Sequence, residues 1–347
     1  MGTKKVDIAN IDITGVSVGA NATYVAANAR FEWISGTYTP SGPGSSPPAQ
    51  GSSFGYIAGG SFGSNPTYPR SGTAAKSKLD KYSYTSDAPA VEVGNLTRPT
   101  QKGHGAASSS HGYLIGGEPN TPGNYVVEKF PFSSDTNTTE IDELSVGHRQ
   151  GASSTSSTHG YVHGGFSEAT TPHTIQKVSY SSDQAGIDVG ELHTERSSHA
   201  GQSSATHGYA AGYSAPSPTD ARTSVEKFPF SSDSPGVDAL ELTSNRYFQG
   251  GSSSSSHGYN HGGKDYSTIV NKIDKFPFSS DSPASDVGDL TATLWAVSGS
   301  SSTSHGYKVG GVGNDKIEKY SFTSDENSTD IAEMINTGYY SASNLQT

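Results

Sequence analysis

Six copies of a Gly-Tyr motif, constant spacings around them and a composition rich in small and aromatic residues predict an all-β protein, a six-bladed β-propeller. The chain has 347 residues, with 42 Gly, 19 Tyr and no Cys, and only 16% of its residues are charged. A helical bundle would need more Leu, Ala, Glu and Lys, and a disordered chain would need more charge and fewer aromatic residues. The absence of Cys excludes disulfides, thiolate metal sites and a cysteine nucleophile.

The repeat begins with the tripeptide HGY in five copies and with FGY in one, and five of the six copies lead into a Gly-Gly pair. A segment such as VEKFPFSSD follows, and then an acidic run that ends at Leu or Met. From the Asp of the SSD or TSD turn to that Leu or Met the spacing is 9 residues in all six copies. The spacing from the Leu to the next Tyr is 17 residues. All length variation therefore falls in the segment after the Gly-Gly pair.

Each copy predicts four short strands, A to D, separated by turn residues. Strand A is a run of Ser, Gly, Ala and Thr, which suits the crowded axis of a propeller. In strand C, Glu128 and Phe130 alternate with Val127 and Lys129, which predicts a strand buried on one face. Asp135 and its equivalents predict an Asx-type cap on the C–D turn. Solvated or interblade ion pairs are expected for the strand-C lysines: Lys81, Lys129, Lys177, Lys227, Lys275 and Lys319.

The two ends of the repeat predict how the ring closes. The last copy ends in residues 338–347, which predict a strand A without a strand B of its own. The first copy lacks a strand A, since a Pro-rich segment precedes Phe54. We therefore expect the C-terminal strand to be the innermost strand of blade 1, in a propeller of residues 51–347. Residues 1–50 have β character and end in a Pro/Gly/Ser linker, which predicts an attachment arm; a strand patch on the propeller is the alternative.

One end of the predicted propeller concentrates its irregular residues. In an up-and-down blade the B–C and D–A loops share one face, and here the first set varies in length while the second carries aromatic and Arg residues. Variable loops on a rigid scaffold are typical of recognition. The alternative for the aromatic residues is packing between blades. The candidate ligand-binding residues are Arg149, Arg196, Arg246, Tyr247, Phe248, Trp295, Tyr339 and Tyr340.

No metal, cofactor, catalytic or nucleic-acid site is expected. The HGY histidines lie one to a blade, so they spread around a ring and predict a role in turns or hydrogen bonds. No Lys-Ser/Thr follows the Gly-Gly pairs, so they are not phosphate loops. The acidic residues of strand D recur in one blade after another, which indicates a structural role and not a catalytic one. A net charge of −11 without a basic cluster argues against nucleic acid, and no secretory signal or apolar run of about 18 residues is present.

An Arg before strand A, a Gly-Gly pair after strand B and an aromatic residue in strand C resemble the kelch repeat. The Arg position is filled by Arg98, Arg149, Arg196 and Arg246, whereas Leu294 departs from it and the usual Trp of strand D is missing. Some kelch-type propellers are copper radical oxidases, but their chemistry needs a Cys that this chain lacks. A cellular kelch-like protein-interaction module is therefore one interpretation, and a glycan-processing enzyme is a weaker one.

The sequences HGY-x-x-GG, FPFSSD and DVG-L closely resemble repeats in propeller proteins of tailed bacteriophages from marine cyanobacteria and other marine bacteria. Those repeats belong to virion structural or tail-fibre-like proteins, and the resemblance covers the propeller but not residues 1–50. It implies a non-enzymatic virion protein that is assembled in the host cytoplasm. We expect residues 1–50 to bind other virion proteins and the loop-bearing face to bind a host-surface glycan or receptor.

Overall fold

The chain divides into two compact units, Met1–Gly44 and Ser45–Thr347. A computed structural model describes residues 21–25, 30–34, 50–61, 75–119, 125–167, 173–184, 186–214, 221–265, 267–335 and 342–346. In the first unit, the strands Asn21–Val25 and Arg30–Ile34 pair antiparallel, with Tyr24 opposite Phe31. An attachment role for residues 1–50 stays a prediction.

The second unit is the six-bladed all-β propeller that the repeat predicts. Each blade has four antiparallel strands in the order A, B, C, D, and no helix occurs among the described residues. From blade 1 to blade 6, strands A are Ala342–Gln346, His104–Ala107, Ala152–Thr155, Ala200–Ser203, Gly250–Ser253 and Ser298–Ser301. Strands B are Phe54–Ala58, His111–Ile115, His159–His163, His207–Ser214, His257–His261 and His305–Val309. Strands C are Lys76–Ser83, Val126–Pro131, Thr174–Ser179, Ala221–Pro229, Lys272–Pro277 and Lys316–Ser321. Strands D are Val91–Gln101, Thr139–Glu143, Ile187–Glu191, Val237–Glu241, Ser285–Asp289 and Thr329–Glu333.

Blade 1 joins the two ends of the propeller sequence. The C-terminal strand Ala342–Gln346 pairs antiparallel with Phe54–Ala58, so it is the innermost strand of this blade. The predicted closure of the ring is therefore confirmed. A fifth strand, Glu118–Pro119, pairs with the end of Val91–Gln101 and links blade 1 to the B–C loop of blade 2.

Six apolar clusters of the described residues lie one between each pair of neighbouring blades. Between blades 3 and 4, for example, the HGY residue Tyr161 stacks on Phe230 at 4.7 Å between ring centroids and meets Phe228 at 5.7 Å. Large rings fill the wedge between two sheets with few side chains, and they contribute most of the buried apolar area. Every blade is thus stabilised by both of its neighbours.

Strand C is buried on both faces over its first half, so the prediction of one buried face is wrong there. Val127 and Glu128 point to opposite faces, yet their exposed fractions are 0% and 1%. The reason is that each blade lies between two others, so both faces of its sheet are covered at this end of the strand. Towards the end of the strand Lys129 and Pro131 are half-buried while Phe130 is buried, as the alternation predicts.

The C–D turns are linked from blade to blade by ion pairs. In each interface the strand-C lysine of one blade meets the turn aspartate of the next blade, with Nζ to Oδ1 distances between 2.5 and 2.9 Å. The pairs are Lys81–Asp135, Lys129–Asp183, Lys177–Asp233, Lys227–Asp281, Lys275–Asp325 and Lys319–Asp87. The interblade expectation for the lysines is confirmed. The Asx cap is wrong, because these carboxylates bind the lysines and not the amides of their own turns.

The A–B turns are capped by serine in one pattern that five blades share. In blade 2, Oγ of Ser108 accepts hydrogen bonds from the N–H groups of Ser110 and His111. The Nδ1 atom of His111 lies 2.8 Å from Oγ of Ser110. The other four HGY histidines repeat this contact with the preceding Ser or Thr. The HGY histidines therefore form hydrogen bonds within the A–B turns, as the sequence predicts.

Candidate functional site

The described parts of the B–C loops and of the D–A connections lie together at one end of the propeller, which we call the loop face. The opposite end, formed by the A–B and C–D turns, is the turn face. On the loop face a backbone bridge joins Arg149 to Phe166 in blade 3, and another joins Tyr247 to Lys264 in blade 5. Each bridge pairs a D–A residue with the residue that follows a Gly-Gly pair. The shared face that the sequence predicts for the two sets of loops is thus confirmed.

The centre of the loop face is a ring of five residues in the left-handed backbone conformation. Their φ angles lie between 54° and 57°, in a region that side chains other than Gly rarely adopt. Four backbone hydrogen bonds connect them, each from the N–H of one residue to the carbonyl of the equivalent residue one blade earlier. The ring comprises Lys102, Gln150, Ser198, Phe248 and Ala296. Strain held in place by surrounding contacts is a known property of functional sites.

An axial opening of about 90 Å³ lies inside this ring. One side of its lining is polar, with Lys102, Gln150 and Ser198. The other side carries the apolar Phe248, Ala296 and Val297 beside the polar Gln249 and Ser298. Because equivalent positions of the repeat carry different side chains, the opening has no sixfold symmetry.

Two of the predicted site residues, Arg196 and Arg246, lie beneath the loop face and are not exposed on it. The exposed fraction of each is 0%. Arg196 forms an ion pair with Glu226, and Nη2 of Arg246 lies 2.8 Å from Oδ1 of Asp274. These guanidinium groups are therefore structural cations, which corrects their assignment as surface donors.

Arg149 belongs to a different position of the repeat. Arg149 lies five residues after the Leu that ends strand D, whereas Arg196 and Arg246 lie four residues after the corresponding Leu. The arginines that the sequence pattern groups together therefore do not occupy equivalent positions. Arg149 lies at the rim, with Nη1 2.7 Å from Oε1 of Glu118 and a side chain that is 30% exposed. Nζ of Lys102 lies 2.7 Å from Oε2 of the same carboxylate. These three side chains form a charged sector beside the opening.

A buried acceptor in strand C holds five of the D–A connections, and sequence reasoning missed it. Its oxygen accepts a hydrogen bond from the N–H that follows the Leu of the preceding blade. The acceptors are Glu128, Gln176, Glu226, Asp274 and Glu318. The available signal was that an acid or Gln directly precedes each strand-C lysine.

In blades 4 and 5 the acceptor is an acid, and an Arg of the D–A connection is its cation. In blade 3 the acceptor is the neutral Gln176, and the neutral His148 occupies the position that Arg has elsewhere. Leu294 occupies that position before blade 6, and there Lys308 of strand B supplies the cation, 3.1 Å from Glu318. Burial tends to raise the pKa of Glu318, but Lys308 and the hydrogen bonds from Ser328 and Thr291 outweigh it and hold this pKa below its usual range.

Three of the predicted aromatic residues meet in a second sector of the loop face. Tyr247, Phe248 and Trp295 pack together and are 7–8% exposed, with ring centroids of Phe248 and Trp295 5.4 Å apart. Nζ of Lys264 lies 3.8 Å from the Trp295 ring centroid. The sequence analysis placed these three aromatic residues on the same face but did not identify Lys264, which lies above them. The predicted Tyr339 and Tyr340 lie outside the described residues.

Buried histidines lie near the loop face and are held in their neutral form. His104 has Nδ1 3.0 Å from the carbonyl of Ile115, while its Nε2 accepts the N–H of Gly151. His148 likewise has one ring nitrogen against a carbonyl and the other against the Thr174 hydroxyl. Burial lowers the pKa of His104 to about 3 and that of His148 to about 4.

Comparison with known proteins assigns neither a family nor a function to this chain. No family model matches the chain, and no curated protein is significantly similar to it. Among the described residues, no group of three or more His, Asp or Glu side chains could hold a metal ion. Within the same part of the chain, no helix is long and apolar enough to cross a membrane.

Proposed function

We propose that this protein is a non-enzymatic binding module whose loop face contacts its partner. One observation carries the proposal: the blades are alike at the turn face and differ from one another at the loop face. Identical ion pairs and turn caps recur around the turn face. Around the loop face the equivalent ring positions hold Lys, Gln, Ser, Phe and Ala. Variable residues on loops that a rigid scaffold positions are typical of binding surfaces, whereas folding alone does not require them to vary.

Two sectors of the loop face supply different kinds of contact. Arg149, Lys102 and Glu118 offer charged groups, and Tyr247, Phe248 and Trp295 offer aromatic edges under a lysine. Aromatic and Arg residues are the usual energetic anchors of binding surfaces. The backbone ring between the sectors keeps them at a fixed separation, so little ordering is needed on binding.

We further propose that the module is a component of a tailed bacteriophage virion, tail-fibre-like or decorating. The support is the resemblance of its repeat to virion propellers of marine phages. In this proposal residues 1–50 bind other virion proteins, and the loop face binds a glycan or protein on the host surface. A decoration or spacer role without a ligand is the architectural alternative.

A cell-binding assay with the full chain tests the recognition function. The fluorescently labelled protein is added to marine bacteria, cyanobacteria included, and compared with Trp295→Ala and with Lys129→Ala, which changes only the turn face. The proposal predicts saturable binding that Trp295→Ala weakens at least about tenfold, or about 1.4 kcal/mol, while Lys129→Ala leaves it unchanged. Binding to none of the cells, or equal loss in both variants, contradicts a recognition role.

Antibodies against the propeller test the virion assignment separately. Phage particles labelled with such antibodies should carry the label at one defined structure, and deletion of residues 1–44 should release the protein from that structure. Particles without the protein would leave the cellular interaction module as the better interpretation.

A further inference from the structure

We infer that the ligand of the loop face carries a carboxylate and is an acidic sugar, with Lys264 as the residue that binds its carboxylate. This inference rests on the proposed recognition function and names the chemistry of the ligand. It follows from the surroundings of one ammonium group.

Lys264 differs in its lack of a counter-ion from the lysines that form ion pairs in the described part of the chain. Eleven lysines in the described part of the chain have a carboxylate oxygen within 4.0 Å. Lys264 has no carboxylate at that distance among the described residues, nor a hydrogen-bond acceptor for its ammonium. In a chain of net charge −11, where acids outnumber Lys and Arg by 33 to 22, an unpaired lysine is unusual. Its three N–H donors are available to a ligand.

Aromatic rings hold this ammonium in place without using its donors. Nζ of Lys264 lies 3.8 Å from the ring centroid of Trp295, 5.4 Å from that of Tyr247 and 5.8 Å from that of Phe248. Two backbone hydrogen bonds between Lys264 and Tyr247, of 2.9 and 3.0 Å, fix the backbone from which the Lys264 side chain extends. Cation–π attraction positions the charge. A lysine ordered before binding loses less side-chain entropy when a ligand arrives.

The site is also partly dehydrated, which strengthens its attraction for an anion. Burial lowers the pKa of Lys264, and no nearby charge offsets that effect. An ammonium that has lost part of its hydration interacts more strongly with a carboxylate than an exposed one does. A cationic ligand is disfavoured, since the chain's own ammonium already occupies the aromatic faces.

The neighbouring opening favours a sugar over an acidic peptide. Phe248 contacts Lys264 and also lines the axial opening, whose other side presents the amide of Gln150 and the hydroxyl of Ser198. A ligand with its carboxylate at Lys264 would therefore extend between an aromatic edge and neutral polar groups. A pyranose ring offers both C–H surfaces and hydroxyls for such a lining. The cations of the charged sector, Lys102 and Arg149, share the carboxylate of Glu118, so each already has a counter-ion within the chain.

The experiment compares sugar acids with their uncharged esters. The full chain is titrated with methyl β-D-glucuronide and with the methyl glycoside of N-acetylneuraminic acid, and each acid is paired with its own methyl ester. We expect at least one acid to bind about tenfold more tightly than its ester, with the difference reduced at high salt. No preference for either acid overturns the inference. Binding of poly-glutamate without binding of either sugar acid overturns the sugar assignment.

Three variants locate the effect. Lys264→Met keeps an aliphatic stem over the rings but removes the charge, so it should abolish the difference between acid and ester. Lys264→Arg should retain most of it, and Lys272→Met, which removes a lysine of the same blade that is paired with Asp286, should leave it unchanged. Unfolding curves of all three establish that they fold. A full acid preference in Lys264→Met contradicts the inference, whereas cell binding without acid preference leaves the recognition function intact.

Discussion

The turn face and the loop face are built from the same repeat, yet they differ in how much their side chains vary from blade to blade. On the turn face each blade contributes the same lysine and aspartate, so neighbouring blades are joined six times in one way, and five blades share the serine-capped turn. On the loop face the equivalent residues of the backbone ring differ from blade to blade. The comparison shows that this chain confines its variation to residues on which closure of the ring does not depend.

The largest expected effect comes from the buried layer under the loop face. Arg246→Ala leaves the carboxylate of Asp274 buried without its cation, so we expect the free energy of unfolding to fall by about 3–5 kcal/mol. Arg149→Ala, at the exposed rim, is the matched control and should cost less than about 1 kcal/mol. Chemical denaturation of the two variants measures both values. Similar losses would contradict the division into a buried and an exposed layer.

A smaller effect is expected from pH, again on the loop-face side. The pKa values of His104 and His148 in the folded protein are about 3 and about 4, below the value of about 6.5 in an unfolded chain. The unfolded state therefore binds more protons below pH 6.5. Stability is full above that pH and is lost as pH falls towards 4, by about 1.4 kcal/mol per pH unit for each histidine.

Denaturation between pH 7 and pH 4.5 measures this slope. His148→Gln should reduce the slope by about the share of one histidine, whatever its effect on stability at pH 7. His111→Gln, on the turn face, should reduce it less, because burial lowers the pKa of that half-buried imidazole less than that of His148. An equal slope in His148→Gln and the wild type would mean that His148 is not held neutral.

The smallest effect is expected from the ion pairs of the turn face. Lys129→Met removes an interaction with Asp183, whose side chain is 51% exposed. Exposed pairs contribute about 0–1 kcal/mol and are screened by salt, so we expect a loss of that size at low salt and almost none at 1 M salt. A loss above about 2 kcal/mol would show that the ring of pairs acts as one network.

The sequence predicted the blades better than the partners of individual side chains. Spacing alone predicted six blades, the closing strand and the shared face of two loop sets, because these follow from chain length and strand alternation. It could not separate Arg149 from Arg196, since one residue of offset decides whether the side chain points to the rim or to the interior. It also missed Lys264, which reaches Trp295 from a different loop. Contacts between loops depend on their conformations, which the repeat does not encode.

The position of the binding surface is the central claim, and site-specific blocking tests it most directly. The chain has no Cys, so a single introduced cysteine can be labelled with a bulky polyethylene glycol at one site only. Ser267→Cys lies in the exposed B–C loop of blade 5, and Ser280→Cys lies in the exposed C–D turn of the same blade. We expect the label at residue 267 to abolish binding to the cells that the wild type binds, and the label at residue 280 to leave it unchanged. Loss of binding only with the label at residue 280 would place the binding surface on the turn face and contradict the account.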